Sequence, residues 1–250
     1  MKLQMIPMTS LLFILLSLSM TNCQEESGPN PDPIPEDQNE IALCDLLYPP
    51  LDTVITSHTN FTRSNYPKRI KKFMEDTIAS GDIVMLGNSL TEQGGNWEVR
   101  LGQPEVKNRG IAGDNADGVL ARLNEILCGE PSIVFVMVGT NDLWTNYTVE
   151  EVGLKIDQIG TILTTSLPES TIYIQTLMPL GEGHEKTERL NAINNDINGL
   201  TDKSFQVIDT YRAMSNDEGI LVEELTTDGV HLTSAGYAQW VIFLKNFIEI

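Results

Sequence analysis

Short apolar runs and longer amphipathic stretches alternate along most of the chain. Five apolar runs, rich in β-branched residues, lie at Ile83–Leu86, Val106–Asn108, Ile133–Val138, Thr171–Thr176 and Gln206–Asp209. Runs of this length predict strands that are buried on both faces. Because helical patterns lie between them, we expect a parallel sheet that is covered by helices on both sides, which is an α/β fold.

Three of the intervening stretches carry apolar residues at helical spacing. The apolar positions are Val149, Val152, Ile156, Ile159 and Leu163, then Leu190, Ile193, Ile197 and Leu200, and finally Tyr237, Trp240, Val241, Leu244 and Ile248. Each set falls on one face of a helix with 3.6 residues per turn. Thr148 and Glu151, three positions apart, predict a capping box at the start of the first of these helices.

The N-terminal part of the chain has a different pattern. A lysine at position 2 and an apolar run over residues 11–16 predict an export signal peptide at residues 1–22, because the run is short for a membrane span. Residues 23–45 are rich in acid and proline and are predicted to form an extended tether without a core. The folded domain is expected over residues 46–250.

The end of the predicted signal peptide, Ser19-Met20-Thr21-Asn22-Cys23, resembles a bacterial lipoprotein signal. That resemblance implies lipidation of Cys23 and a place at the outer membrane or cell surface. An ordinary secretory signal with an incidental cysteine is the alternative, and it would leave the protein periplasmic or secreted. In either case we expect contact with a membrane only through a lipid anchor.

The charge balance narrows the possible partners. The chain has 250 residues, with 16 Lys and Arg against 35 Asp and Glu, and a net charge of -19. Such a surface repels phosphate backbones, so we do not expect nucleic-acid binding. It also disfavours strongly anionic substrates. The length is sufficient for one α/β domain.

Two cysteines remain once Cys23 is set aside. Cys44 and Cys128 could pair in an oxidising compartment, closing a loop of about 84 residues and stabilising the fold by about 2–4 kcal/mol. They could equally be two independent buried thiols. The sequence leaves both possibilities open.

Residues with catalytic potential follow the predicted strands. Ser89 lies just after the first strand, Gly113 after the second, and Asn141 after the third, while Asp228 and His231 follow the fifth. The carboxyl ends of parallel strands share one edge of a sheet, where ligands bind. A serine, together with an aspartate three residues before a histidine, supplies the nucleophile, the base and the group that orients the base in a serine hydrolase.

These motifs resemble the SGNH hydrolases, also called GDSL esterases, from about Asp82 to the C-terminus. The matching blocks are Gly87-Asn88-Ser89-Leu90, the glycine at Gly113, Gly139-Thr140-Asn141-Asp142 and Asp228-Gly229-Val230-His231. The loop Leu177-Met178-Pro179, which leads to the helix at Arg189-Leu190-Asn191, resembles the platelet-activating-factor acetylhydrolase-like subgroup.

The resemblance implies a doubly wound, flavodoxin-like three-layer sandwich whose five-stranded parallel sheet has the order 2-1-3-4-5. It implies that Ser89, His231 and Asp228 are catalytic, and that the backbone N–H groups of Ser89 and Gly113 and the Asn141 side chain form the oxyanion hole. The expected enzyme is a carboxylic ester hydrolase acting through an acyl-enzyme. Its expected substrates are small acyl esters, acetyl above all, of carbohydrates or other small alcohols.

One residue departs from the family pattern. Asn88 stands where the family has aspartate, next to the nucleophile but outside the triad. A catalytically silent scaffold that serves as a cell-surface binding lipoprotein is therefore the alternative function.

The other two histidines fit the base less well, because neither has an aspartate three residues before it. We expect His58 to lie away from the site and His184 to lie on a loop at the catalytic end of the sheet, lining the pocket. We expect no cofactor and no metal, since Asp114–Gly118 lacks the spacing of a calcium loop and no zinc motif is present.

Overall fold

The computed structural model describes residues 43–201 and 203–248. The predicted signal peptide, Cys23 and almost all of the predicted tether lie outside the described residues. The last three residues of that tether, Leu43–Asp45, form a short 3₁₀ helix. No helix among the described residues has the length and apolar character needed to span a membrane.

Strands and helices alternate from residue 60 onward. The strands are β1 (Ile83–Gly87), β2 (Val106–Gly110), β3 (Ile133–Met137), β4 (Thr171–Gln175) and β5 (Gln206–Ile208). The helices are α1 (Asn60–Glu75), α2 (Ser89–Gln93), α3 (Trp97–Leu101), α4 (Ala116–Leu120), α5 (Asn124–Gly129), α6 (Val149–Ser166), α7 (Thr187–Asn198), α8 (Thr210–Met214) and α9 (Ser234–Leu244). All five predicted strands and the three predicted long helices are thus present, and the capping box of Thr148 and Glu151 begins α6.

The five strands form one parallel sheet in the order β2-β1-β3-β4-β5. Ile83 of β1 pairs with Val106 of β2 on one side and with Ile133 of β3 on the other. The chain places β2 on one side of β1 and then β3, β4 and β5 on the other side. In sheets of this type, ligands bind in the crevice at the carboxyl ends of the strands where the order reverses, which here is at β1. The predicted fold class and strand order are confirmed.

Alternate strand residues point to two separate cores. Val84, Leu86 and Val136 pack on one face with α4, α5, α6 and α7. Met85 and Phe135 pack on the opposite face with α3, α8 and α9. This two-sided burial explains why the strand sequences are almost continuously apolar, and it makes the molecule a three-layer sandwich.

The N-terminal part of the described chain packs outside these layers. Helix α1 buries Tyr66, Ile70 and Phe73 against Ile111, which follows β2. Cys44 forms a disulfide bond with Cys128 of α5, across 84 positions of sequence. The structure therefore contains the disulfide bond, which was one of the two possibilities that the sequence left open for these cysteines.

Candidate active site

The predicted nucleophile lies where β1 turns into α2. Ser89 is the first residue of α2, and Asn88 caps that helix because its side-chain oxygen accepts a hydrogen bond from the Leu90 N–H at 3.0 Å. Gly87 fits because a side chain there would clash with Thr91 and with the Met137 carbonyl. Asparagine thus supplies the capping acceptor at this position without a carboxylate.

His231 reaches the nucleophile from the loop before α9. Its Nε2 lies 3.0 Å from Ser89 Oγ, and its Nδ1 lies 2.7 Å from Asp228 Oδ2. The turn that holds them is local: Asp228 Oδ1 accepts the backbone N–H groups of Val230 and His231 at 3.0 and 2.7 Å. The structure therefore brings together three residues that span 142 positions of sequence.

The Asp228 carboxyl is held in its ionised form. Partial burial raises its pKa, but hydrogen bonds from the His231 ring and from the backbone N–H groups of His231 and Val230 outweigh burial and lower the pKa below its ordinary value. An ionised Asp228 keeps the proton of the neutral imidazole on Nδ1 and leaves Nε2 free to accept the serine proton.

The three predicted oxyanion donors lie around one cavity. Gly113 has a φ of +83°, and a side chain there would clash with Thr62, so only glycine fits this turn. Asn141 donates one hydrogen of its amide to the Asp114 carbonyl at 2.8 Å, which leaves its second hydrogen for a ligand. Ser89, Gly113 and Asn141 line the same cavity as His231. This arrangement matches an oxyanion hole.

Asp142, the neighbour of Asn141, is fully buried. Its carboxylate accepts the Ala116 N–H at 3.2 Å, which ties the loop after β3 to the start of α4. Burial raises its pKa to about 7, and the nearby Asp117 and Asp114 add to the effect, while the Ala116 hydrogen bond opposes it. Asp142 thus supports the loop after β3.

The expectation that His58 lies away from the site is wrong. His58 is buried, and its Nε2 lies 2.9 Å from Asp114 Oδ1, directly behind the oxyanion loop. Arg122 holds the other oxygen of Asp114 at 3.0 Å and also donates to the Gly87 carbonyl at the end of β1. His58 thus belongs to a buried polar cluster that joins two of the loops of the site.

The cavity above Ser89 has a volume of about 390 Å³. Its walls include hydroxyl and amide side chains and two aromatic rings, and its lining residues contain no carboxylate, lysine or arginine. Besides the predicted residues, it is lined by Ser57, Thr59, Phe61, Thr62, Gln93, Ala112, Asn115, Trp144 and Thr145.

Sequence reasoning missed the wall formed by residues 57–62. These residues reach the site across more than 50 positions, as the hydrogen bond from Thr62 Oγ1 to the Gly113 carbonyl illustrates. No motif marks them, so only the fold could find them. His184 does not line the catalytic cavity, but its ring meets the Trp144 ring edge-on at 5.9 Å.

Within the described ranges, no three His, Cys, Asp or Glu side chains are placed to hold a metal ion. The hydrogen bonds that link Ser89, His231 and Asp228 suit acid–base chemistry. A serine hydroxyl at hydrogen-bond distance from an oriented imidazole can be deprotonated as it attacks a carbonyl carbon. The nearby donors can stabilise the oxyanion that forms.

A profile of the GDSL-like Lipase/Acylhydrolase family matches residues 81–239. The chain belongs to this family. It is accordingly a carboxylic ester hydrolase, as the sequence predicted. The matched region begins just before β1, so α1 and the cavity-lining Ser57, Thr59, Phe61 and Thr62 lie outside it.

Comparisons with individual proteins agree with this membership. The chain is 31% identical over 169 residues to the platelet-activating factor acetylhydrolase IB subunit alpha2 of Bos taurus, covering 63% of this chain and 72% of that protein. A GDSL-like lipase from Bacteroides thetaiotaomicron has a TM-score of 0.63 at 18% identity, covering 74% of this chain and 97% of that one.

A third comparison concerns an acetylxylan esterase from Geobacillus stearothermophilus. It has a TM-score of 0.56 at 20% identity, and the match covers 70% of this chain and 97% of that one. At this level of identity, the two structural comparisons establish a shared fold.

Proposed function

We propose that this esterase removes small acyl groups, acetyl above all, from carbohydrates or other small alcohols through an acyl-enzyme. The observation that carries the proposal is the 3.0 Å contact between His231 Nε2 and Ser89 Oγ, at the floor of an uncharged, hydroxyl-lined cavity. Curated relatives are named acetylhydrolases, and one structural neighbour is named an acetylxylan esterase, which favours acetyl as the acyl group.

In the proposed reaction, Ser89 Oγ attacks the ester carbonyl carbon while His231 Nε2 takes the serine proton. The oxyanion is stabilised by the Asn141 amide and by the backbone N–H groups of Gly113 and Ser89. His231 then delivers the proton to the departing alcohol. Water attacks the acyl-enzyme with His231 again as the base, releasing the acid and restoring Ser89.

The alternative, a silent binding scaffold, receives no support from Asn88, since that residue performs the capping task at the start of α2. A fluorophosphonate probe tests the difference directly. We expect the wild-type protein to be labelled and Ser89→Ala to remain unlabelled. An unlabelled wild-type protein that is also inactive on a panel of acetylated sugars and short p-nitrophenyl esters would refute the esterase proposal.

We further propose that the protein is exported and anchored by a lipid on Cys23. The proposal rests on the apolar run at residues 11–16, on the cysteine that follows it and on the acidic tether after that cysteine. Two or more acyl chains hold a protein stably on a membrane, whereas one gives only marginal attachment.

Mass spectrometry of the protein expressed in a bacterium tests the anchor. We expect a lipidated N-terminus at Cys23 in the membrane fraction, and a loss of that processing in Cys23→Ser. Cleavage at another position without a lipid would reject the anchor and leave the esterase proposal intact.

A further inference from the structure

Two aromatic rings in the catalytic cavity are left uncovered. Phe61 and Trp144 are 65% and 51% exposed, and they are the only strongly exposed phenylalanine and tryptophan side chains among residues 43–201 and 203–248. Both line the cavity that contains Ser89 and His231. Exposed aromatic area that adjoins a site is typical of a surface that a ligand covers.

Trp144 shares a 3₁₀ helix with one of the proposed oxyanion donors, and Phe61 lies on a helix that contacts another. Trp144 ends the 3₁₀ helix that begins at Asn141, and its ring is oriented by the edge-on contact with His184. Phe61 lies in the first turn of α1, next to Thr62, whose hydroxyl donates to the Gly113 carbonyl. A ligand on these rings would therefore have a defined position relative to the acyl group.

The remaining lining residues indicate which ligand fits. Ser57, Thr59, Gln93, Asn115 and Thr145 are uncharged. Although Ser57, Asn115 and Thr145 also donate hydrogen bonds within the protein, their oxygen atoms keep lone pairs that can accept hydrogen bonds from a ligand. A pyranose ring has hydroxyl groups that need such partners and an apolar face of C–H groups that suits an aromatic ring. A quaternary ammonium would also suit aromatic rings and an acidic protein, but the cavity lining provides no carboxylate as its counter-charge.

We propose that Phe61 and Trp144 form an aromatic subsite that holds a pyranose ring of the substrate alcohol beside Ser89. This inference rests on the proposed function and deepens it, because it names the class of alcohol and the residues that select it. One of the two residues, Phe61, lies outside the region matched by the family profile.

The first experiment separates ring recognition from ester cleavage. It compares kcat and KM on an acetylated methyl xylopyranoside and on ethyl acetate, which has no ring, for the wild type, Phe61→Ala and Trp144→Ala. We expect each variant to lose about tenfold in kcat/KM on the glycoside, through KM, because a ring-stacking contact is lost. The loss on ethyl acetate should be clearly smaller, because that ester has no ring to place against the two side chains.

Leu154→Ala is the matched control, since Leu154 is 60% exposed on α6 and does not line the cavity. It should leave both activities unchanged. Equal losses on the two esters would show that the rings only support the fold, and no loss on either ester would reject the subsite. Acetylcholine hydrolysis that exceeds glycoside hydrolysis and depends on the two rings would show that the ligand is a quaternary ammonium.

The second experiment measures binding without turnover. Trp97 and Trp240 are buried, so acrylamide quenching of tryptophan fluorescence reports mainly on Trp144. In Ser89→Ala, the acetylated xylopyranoside should protect the fluorescence from quenching, and Phe61→Ala should weaken that protection. Unchanged quenching at saturating glycoside would overturn the subsite. Since this measurement needs no catalysis, it decides the inference even if the wild type proves inactive on every ester.

Discussion

Asn141, one of the three proposed oxyanion donors, is bonded to the loop that follows β2. One hydrogen of its amide is used by the Asp114 carbonyl, and this bond fixes the direction of the other hydrogen. The side chain needs no reorganisation when negative charge develops on the acyl oxygen. A donor that is already oriented contributes most of its stabilisation in the transition state, where the charge is largest.

Replacing Asn141 by alanine should therefore affect catalysis more than binding. We expect kcat to fall by roughly 10²–10³ with a smaller change in KM, as for the loss of one oxyanion donor. Steady-state kinetics on a short acetyl ester will measure this effect. Leu154→Ala is the control, because Leu154 is exposed on α6 and does not line the cavity, and its kcat should stay within about threefold. A fall confined to KM would remove Asn141 from the oxyanion hole.

Asp142 gives the stability of the protein a specific pH dependence. Burial raises its pKa from 3.8 to about 7, so the folded protein binds this proton more tightly than the unfolded chain does. The stability that it contributes is complete below about pH 3.8 and is lost as the pH rises through about 7. In Asp142→Asn the side chain is always neutral, so the Tm of this variant minus that of the wild type should increase between pH 4 and pH 8. A difference that is constant over this range in thermal unfolding would contradict the raised pKa.

At the scale of the elements, the sequence predicts most of what is local. Patterns among neighbouring positions predict the strands, the capping box of α6 and the site residues directly after β1 and β3. The turn of Asp228–His231 is equally local, because its hydrogen bonds lie within four residues. The wall at residues 57–62 depends instead on contacts across more than 50 positions. Nothing in a local pattern encodes such contacts, so the sequence placed His58 wrongly.

His58 should act as a positioning residue through Asp114. Removing its ring in His58→Ala leaves a buried carboxylate with fewer partners and an empty space behind the oxyanion loop. We expect a lower Tm and a fall in kcat of roughly 10- to 100-fold with little change in KM, because small displacements of aligned groups are costly. His58→Gln, which can still donate to Asp114, should recover part of kcat. A loss of stability without any change in kcat would limit His58 to a structural role.

The disulfide should matter for stability more than for the chemistry. The bond between Cys44 and Cys128 closes a long loop, and its loss in the double variant Cys44→Ser, Cys128→Ser should cost about 2–4 kcal/mol. For a domain of this size, that corresponds to a fall in Tm on the order of 10 °C. At 25 °C kcat should stay within about twofold, since the hydrogen bonds of residues 57–62 to the oxyanion loop are separate from the disulfide. An unchanged Tm would show that the loop is fixed without the bond.

At the scale of the whole molecule, charge selects among substrates that fit the cavity. The chain carries a net charge of -19, whereas the residues that line the cavity are uncharged apart from His231, which can carry a proton. The negative electrostatic field of the protein therefore repels an anionic substrate as it approaches. The cavity lining has no lysine or arginine that would offset this repulsion.

The negative field of the protein predicts that the enzyme discriminates between esters of similar shape that differ in charge. An acetylated methyl glucuronide should have a kcat/KM several-fold below that of the corresponding glucoside at about 10 mM salt, because the anion is repelled. The difference should shrink at about 0.5 M sodium chloride, where the screening length is only a few ångströms. A ratio that does not change with salt would locate the discrimination in direct contacts and not in the field.

The solvent exposure of His231 and Asp228 has one more consequence. The side chains of His231 and Asp228 are 31% and 53% exposed, so solvent reaches the general base without any movement of the protein. An acyl group on Ser89 is then open to whatever hydroxyl compound is dissolved nearby. Its fate becomes a partition between hydrolysis and transfer, and the concentration of competing alcohols sets how much of the acyl group moves to a new acceptor.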